Sequence, residues 1–232
     1  MDSKQLYKEV GLKIRSFRKS RGMSLTEFAN LLNKSVSTVS KYEYGEVSIN
    51  VDVLVDICNI FNIDSDSLLP FTITASHDGD LSRYENAFEE LLYIYWYNKE
   101  YNELRYAMID NRSSSRIKST MYLHVKNTKD IDKASFIYLG DIAYSDTGAV
   151  FTYTNSLPPF DNTVVRIPSF ARNKQYRFGL ITTQSYYYQN VAVKIAATSK
   201  PVNECEKPEL LELLKVSSDE IKEIKRTNFF II

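Results

Sequence analysis

The chain has 232 residues, long enough for two cores, and its 29 basic and 29 acidic residues balance. Its two cysteines, Cys58 and Cys205, have no second cysteine or histidine at ligand spacing, which argues against a zinc site or a disulfide framework. No run approaches the length of a membrane span and the N-terminus lacks the apolar core of a secretory signal, so a cytoplasmic protein without a membrane partner is expected.

The charges are unevenly placed. Up to Gly45 there are nine lysines and arginines (Lys4, Lys8, Lys13, Arg15, Arg18, Lys19, Arg21, Lys34 and Lys41) against the four acids Asp2, Glu9, Glu27 and Glu43, whereas Glu46 to Pro70 holds five acids and no basic residue. Such a polarity would turn one face toward phosphate.

In chain order, Asp2 or Ser3 can cap a first helix reaching about Ser20, with Val10, Ile14 and Phe17 at helical spacing and Gly22 closing it. Ser24 and Glu27 form a capping box that starts a second helix at Leu25, with Phe28, Ala29, Leu31 and Leu32 on its apolar face. Asn33 stands at the turn, because asparagine tolerates a left-handed conformation. Ser35 caps a third helix, on which Val39 and Tyr42 share a face and which Gly45 ends as a C′ glycine. Asn50 caps a fourth helix carrying Val53, Leu54, Ile57, Ile60 and Phe61, with Cys58 on its apolar face. Asp64 caps a short fifth one holding Leu68 and Leu69 before Pro70.

Arg21, Gly22, Ser24, Ser35, Ser37, Thr38, Val39, Ser40, Lys41, Tyr42, Glu43 and Gly45 together resemble the Cro/Xre, or lambda-repressor-like, helix-turn-helix regulators over about Val10 to Leu69. Leu25 departs from the glutamine frequent in that family, and Asn33 replaces its usual turn glycine. The resemblance implies an all-α five-helix DNA-binding domain over residues 1–70. The start of the third helix would enter the major groove, so that Val36, Ser37, Ser40 and Lys41 face base edges. Arg15, Arg18, Lys19, Ser24, Thr26, Lys34, Ser35 and Thr38 would meet phosphate. The partner would be a double-stranded, palindromic DNA operator bound by a homodimer.

A small and polar run over residues 71–80 reads as a linker. In residues 81–232 Ser82 and Glu85 form a second capping box, and Tyr84, Phe88 and Leu91 suit a short helix. Leu92 to Tyr97 reads as a strand, with Leu104, Tyr106 and Met108 alternating on its return, the alternative being a helix that continues to Met108. Further strand-like runs follow at 118–125, 135–144, 149–154, 163–167, 176–183 and 190–197, making eight in a β-rich domain, an antiparallel sandwich or an open barrel. Pro208 opens a terminal helix to Leu214, and Ser217 with Glu220 caps another carrying Ile221 and Ile224. Tyr93, Tyr95, Trp96 and Tyr97, with the terminal Phe229, Phe230, Ile231 and Ile232, are the candidates for a dimer or effector interface.

No catalytic residue, cofactor or metal site is expected: there is no phosphate-binding glycine loop, and His77 and His124 stand alone. Gly140-Asp141 is followed by Ile142 where a self-cleaving repressor would need its serine. The run from Tyr138 to Ser156 resembles the C-terminal domains of repressors from Gram-positive mobile elements, including staphylococcal pathogenicity-island master repressors. That resemblance implies a repressor relieved by an inducer, often a protein, acting on the β-rich domain. An activator or dual regulator, or an antitoxin-like interaction protein, would share the same reader.

Overall fold

A computed structural model describes residues 3–69, 90–112, 117–157, 161–168, 175–184 and 189–228. The expected linker 71–80, His77, the helix capped by Ser82 as far as Phe88 and the terminal run Phe229 to Ile232 lie outside the described residues, whereas Leu91, expected on that helix, opens the first strand instead.

Five helices come first: α1 Ser3–Ser20, α2 Leu25–Leu31, α3 Val36–Tyr44, α4 Val51–Phe61 and α5 Ser65–Leu68. Local chemistry marks several of their ends. Ser24 accepts from the Glu27 amide and Glu27 accepts from the Ser24 amide, completing the box at α2. Asn33 adopts φ 51° and Asn62 φ 47°, left-handed turns that asparagine tolerates. Asn50 and Asp64 occupy the N-cap positions of α4 and α5, but neither side chain makes a capping hydrogen bond. Val10, Ile14, Phe17, Phe28, Ala29, Val39, Ile57, Phe61 and Leu68 form the bundle's interior, where the Phe28 and Phe61 rings stack with centroids 4.9 Å apart. Burial of each large apolar side chain contributes about 1.5–3 kcal/mol, and that drives the short helices together.

The second half is an eight-stranded antiparallel meander: β1 Leu91–Asn98, β2 Glu103–Asp110, β3 Lys118–Leu123, β4 Ile137–Ser145, β5 Gly148–Asn155, β6 Asn162–Pro168, β7 Arg177–Gln184 and β8 Asn190–Thr198. Of the two architectures expected, the barrel is the one formed, and it is closed, because β8 pairs with β1 through Tyr93–Thr198 and Ile94–Ala197. Alternation sends Leu92, Ile94, Ile109, Met121, Phe151, Tyr153, Val165, Ile167 and Ile195 into the lumen, which at eight strands is just wide enough for side chains to fill. Gly140 faces that lumen because a Cβ there would lie 2.6 Å from the Tyr153 ring. Tyr153 reaches Ser119 Oγ at 2.6 Å, so its buried hydroxyl is satisfied.

Helix α6 Lys207–Leu214 lies on the outer face of β1, with Leu210 and Leu214 buried beside Tyr95. Helix α7 Ser218–Thr227 follows, started by a complete Ser217–Glu220 capping box and tied back by Lys194 to Glu220 at 2.8 Å. A 3-10 turn, Ile131–Lys133, sits between β3 and β4 and packs on α1, joining bundle and barrel. Ser16 Oγ donates to the Ile131 carbonyl at 2.7 Å, in a buried setting. Among the described residues no helix is long and apolar enough to cross a membrane.

Candidate nucleic-acid interface

Helix α3 presents two different sides. Val39 is fully buried and Tyr42 nearly so, which fixes the inner side. Val36, Ser37 and Lys41 are exposed, and Ser40 is half-buried on the same outer stripe. The spacing i, i+1, i+4, i+5 makes these four residues neighbours on the helix surface. Ser35 accepts from the Thr38 amide at 3.0 Å and shares a 2.8 Å bond with the Thr38 hydroxyl, so both hydroxyls sit at the start of α3 with Lys34 exposed beside them.

The pose of α3 is set by close approach to α1. Gly45 ends the helix at φ 66°, and a Cβ there would lie 2.5 Å from the Lys8 amide nitrogen. Gly11 stands equally close on α1, where a Cβ would meet the Tyr42 carbonyl and lie 2.7 Å from that of Glu43. The two glycines let the backbones touch where any larger residue would hold them apart.

An internal ion pair adds to this clamp. Arg18 Nε and Nη2 donate to the two carboxylate oxygens of Glu43 at 2.6 and 2.8 Å, and Nη1 donates to the Met23 carbonyl at 2.8 Å. The hydrogen bonds to Glu43 hold the guanidinium's pKa above its ordinary value. Arg18, expected at phosphate, thus braces α1, the α2 entry and α3 against one another. A bidentate pair of this kind fixes orientation as well as charge.

The other expected phosphate contacts are placed differently. Arg15 lies 3.5 Å and Lys19 3.0 Å from the carboxylate of Asp132, on the barrel's 3-10 turn, and Arg15 also lies over the Tyr44 ring at 5.2 Å. Ser24 and Thr26 are exposed at the start of α2. Glu27 stands there too, and its bonds to Ser24 hold its pKa below the usual carboxylate range, so that corner carries a negative charge. The amides of Leu25 and Thr26 keep the orphan-donor positions of the helix start.

Residues 14–68 match the family model described as Helix-turn-helix, HTH_3. This segment is a Cro/Xre-like helix-turn-helix domain. The match covers the capped α2, the Asn33 turn and the exposed α3 of the reader, and it supports a DNA-binding transcriptional regulator. No curated protein matches the chain.

The residues expected at a dimer or effector interface divide across the β1 wall. Tyr93 and Tyr95 point outward but are 6% and 1% exposed, and the Tyr95 hydroxyl accepts from the Val202 amide at 2.9 Å. Trp96 points into the mouth of the barrel, lining a small cavity of about 100 Å³ with Met121, Tyr138 and Ile181. Tyr97 is half-buried, with Lys215 Nζ 5.6 Å from its ring centroid. Period-2 alternation explains the split, since successive aromatics on one strand cannot share a face.

The sequence reading missed Gly11, the Arg18–Glu43 brace and the whole contact between α1 and Asp132. The first had a signal: a glycine inside an otherwise regular helix marks close backbone approach. Cys58 is half-buried and Cys205 exposed, both free. Among the described residues no group of three or more histidine, cysteine or acidic side chains could hold a metal.

Proposed function

We propose that the chain is a sequence-specific repressor of the kind found on phages or mobile genetic elements, acting without catalysis as a homodimer on a palindromic operator. The observation that carries this reading is the α3 stripe of Val36, Ser37, Ser40 and Lys41, left facing outward while the rest of the helix is clamped to α1. Lysine can donate to guanine, serine to several bases, and valine can contact a thymine methyl. A reader this small spans few base pairs, so useful discrimination requires two half-sites read together. The barrel domain supplies the second contact, with Leu213, Val216 and Ile221 of the α6–α7 region exposed by 38, 49 and 44%. Tethering two readers in this way raises avidity by roughly a hundredfold or more.

Relief of repression then acts through the barrel. Asp132 already holds Arg15 and Lys19 of the reader, so an inducer that favours this docked pose withdraws two cations from phosphate. It can do so only to the extent that it binds the docked state more tightly than the DNA-bound one.

An operator selected from a random DNA pool gives the test. Lys41→Ala should lose about 1–3 kcal/mol on that operator and much less on random DNA. An equal loss on both would refute base recognition by Lys41.

A further inference from the structure

Reader and barrel do not meet flush. Between the α4–α5 end of the bundle and the outer face of β2–β5 lies a cavity of about 560 Å³, within the size range of sites that hold small molecules. The strand register sets Asp110, Thr120, Leu139 and Thr154 side by side along its barrel wall.

Most of its charges are paired. Arg112 Nε and Nη2 donate to the two oxygens of Asp110 at 3.0 and 2.9 Å. Lys118 Nζ lies 2.9 Å from Asp141 and 3.6 Å from Asp64. Arg21 donates to the Phe61 carbonyl.

One cation is left over. Lys13 reaches the cavity wall from α1 and is only 6% exposed. No described residue gives it a hydrogen bond, or a carboxylate within 4.0 Å. Burial pushes its pKa down; the attraction of Asp110 is opposed by the repulsion of Arg112, which already holds that carboxylate, and Glu9 adds a weaker attraction from outside ion-pair distance. On the barrel side of the same cavity, Ser156 Oγ is buried and has no hydrogen-bond partner. A buried ammonium and a buried hydroxyl each cost free energy until they meet a complementary group. A ligand with an oxyanion would complement both at once.

We propose that this cavity binds a small polar molecule with a carboxylate or phosphate head, which pairs with Lys13 Nζ and accepts a hydrogen bond from Ser156 Oγ. Asp66 and Asp141, also on the wall, suit hydroxyl or amino groups on the rest of the molecule. The ligand touches both the reader and the barrel. Its binding does not depend on the DNA-reading proposal and is measured without DNA.

The test is thermal denaturation and calorimetry of the full chain, titrated separately with inorganic phosphate, glucose 6-phosphate and glutamate at constant ionic strength. A phosphate arm or the carboxylate arm should give saturable binding and raise Tm by about 5–10 °C at a hundredfold excess over Kd. Lys13→Met, which replaces a buried ammonium by an apolar group of similar length, should melt no lower than the parent chain and lose the ligand response. Ser156→Ala should weaken binding about fivefold, the loss of one neutral hydrogen bond, and it carries the test if Lys13→Met does not fold. The proposal is overturned if the parent chain responds saturably to none of the three probes. It is equally overturned if the response survives Lys13→Met, or in its place Ser156→Ala, unchanged.

Discussion

Replacing one partner of the Arg18–Glu43 pair should cost the reader far more than a surface ion pair would. The Glu43 side chain is 3% exposed and that of Arg18 is 11%, and two donors meet two acceptors at 2.6 and 2.8 Å. Removing one member of a buried pair strands the other and costs about 3–5 kcal/mol. Arg18 keeps its bond to the Met23 carbonyl and a little solvent, so Glu43→Leu belongs near the lower end, about 3 kcal/mol. Arg18→Met, which strands the more deeply buried carboxylate, should cost at least as much.

The double variant removes both charges, and its loss should fall below the sum of the singles by about 2 kcal/mol or more. Melting of the full chain reads this out. A reader unfolding alone should drop in Tm by about 12–24 °C for Glu43→Leu, whereas a reader that melts together with the barrel should drop by about 6–12 °C. Single losses under about 1 kcal/mol, the usual worth of an exposed pair, would refute the argument, and so would strict additivity in the double.

Two further outcomes are expected. Asp132→Asn should free Arg15 and Lys19 for phosphate, raising affinity for the selected operator and steepening the slope of log K against log salt by up to about 1.8, or 0.9 for each added phosphate contact; an unchanged slope would show that neither cation reaches the backbone. His124 follows β3 at φ 62°, its ring between Arg105 and Ser135, and burial first, then Arg105, holds its pKa below the ordinary value. The unfolded chain therefore binds the proton more readily. Stability due to His124 is present above its unfolded pKa of about 6.5 and is lost as pH falls below it. His124→Asn, which tolerates the same backbone, should flatten the melting profile between pH 7 and 5; a profile as steep as the parent's would place the acid sensitivity elsewhere.

The elements were legible where one residue's chemistry decides the local backbone. Ser24 with Glu27 and Ser217 with Glu220 are reciprocal caps whose four partners lie within one turn, and Asn33 announces its own left-handed φ. All eight strands could be read from alternation and turn residues. Closure could not, because a sandwich and a barrel share the same alternation, and only the pairing of β1 with β8, some hundred residues apart, tells them apart. The Tyr93 to Tyr97 run shows the same limit: its composition suits an interface or a core equally. Only the covering of Tyr95 by Val202 and α6 shows how much of it this chain buries itself.

Ser16 and Lys19 lie on the side of α1 away from Ile14 and Phe17, which in an isolated five-helix bundle is the solvated side, and Lys13 flanks Phe17 at the edge of the apolar stripe. The barrel changes their meaning: Ser16 gains a buried acceptor, Lys19 a carboxylate, and Lys13 a place next to a cavity. A buried neutral hydrogen bond contributes about 1 kcal/mol and a half-exposed ion pair about 0–1. The polar contacts of this docking therefore hold it weakly, and the Ile131 side chain against the bundle adds an apolar share of about 1.5–3 kcal/mol. Reversing such a docked-to-free ratio from 99:1 to 1:99 takes a preference of about 5.5 kcal/mol for the free state. That is within reach of a DNA operator pulling on Arg15 and Lys19, opposed by whatever binds the docked pose. Under the proposed function, DNA and barrel would therefore compete for α1, although none of the four proposed base-reading residues lies on it.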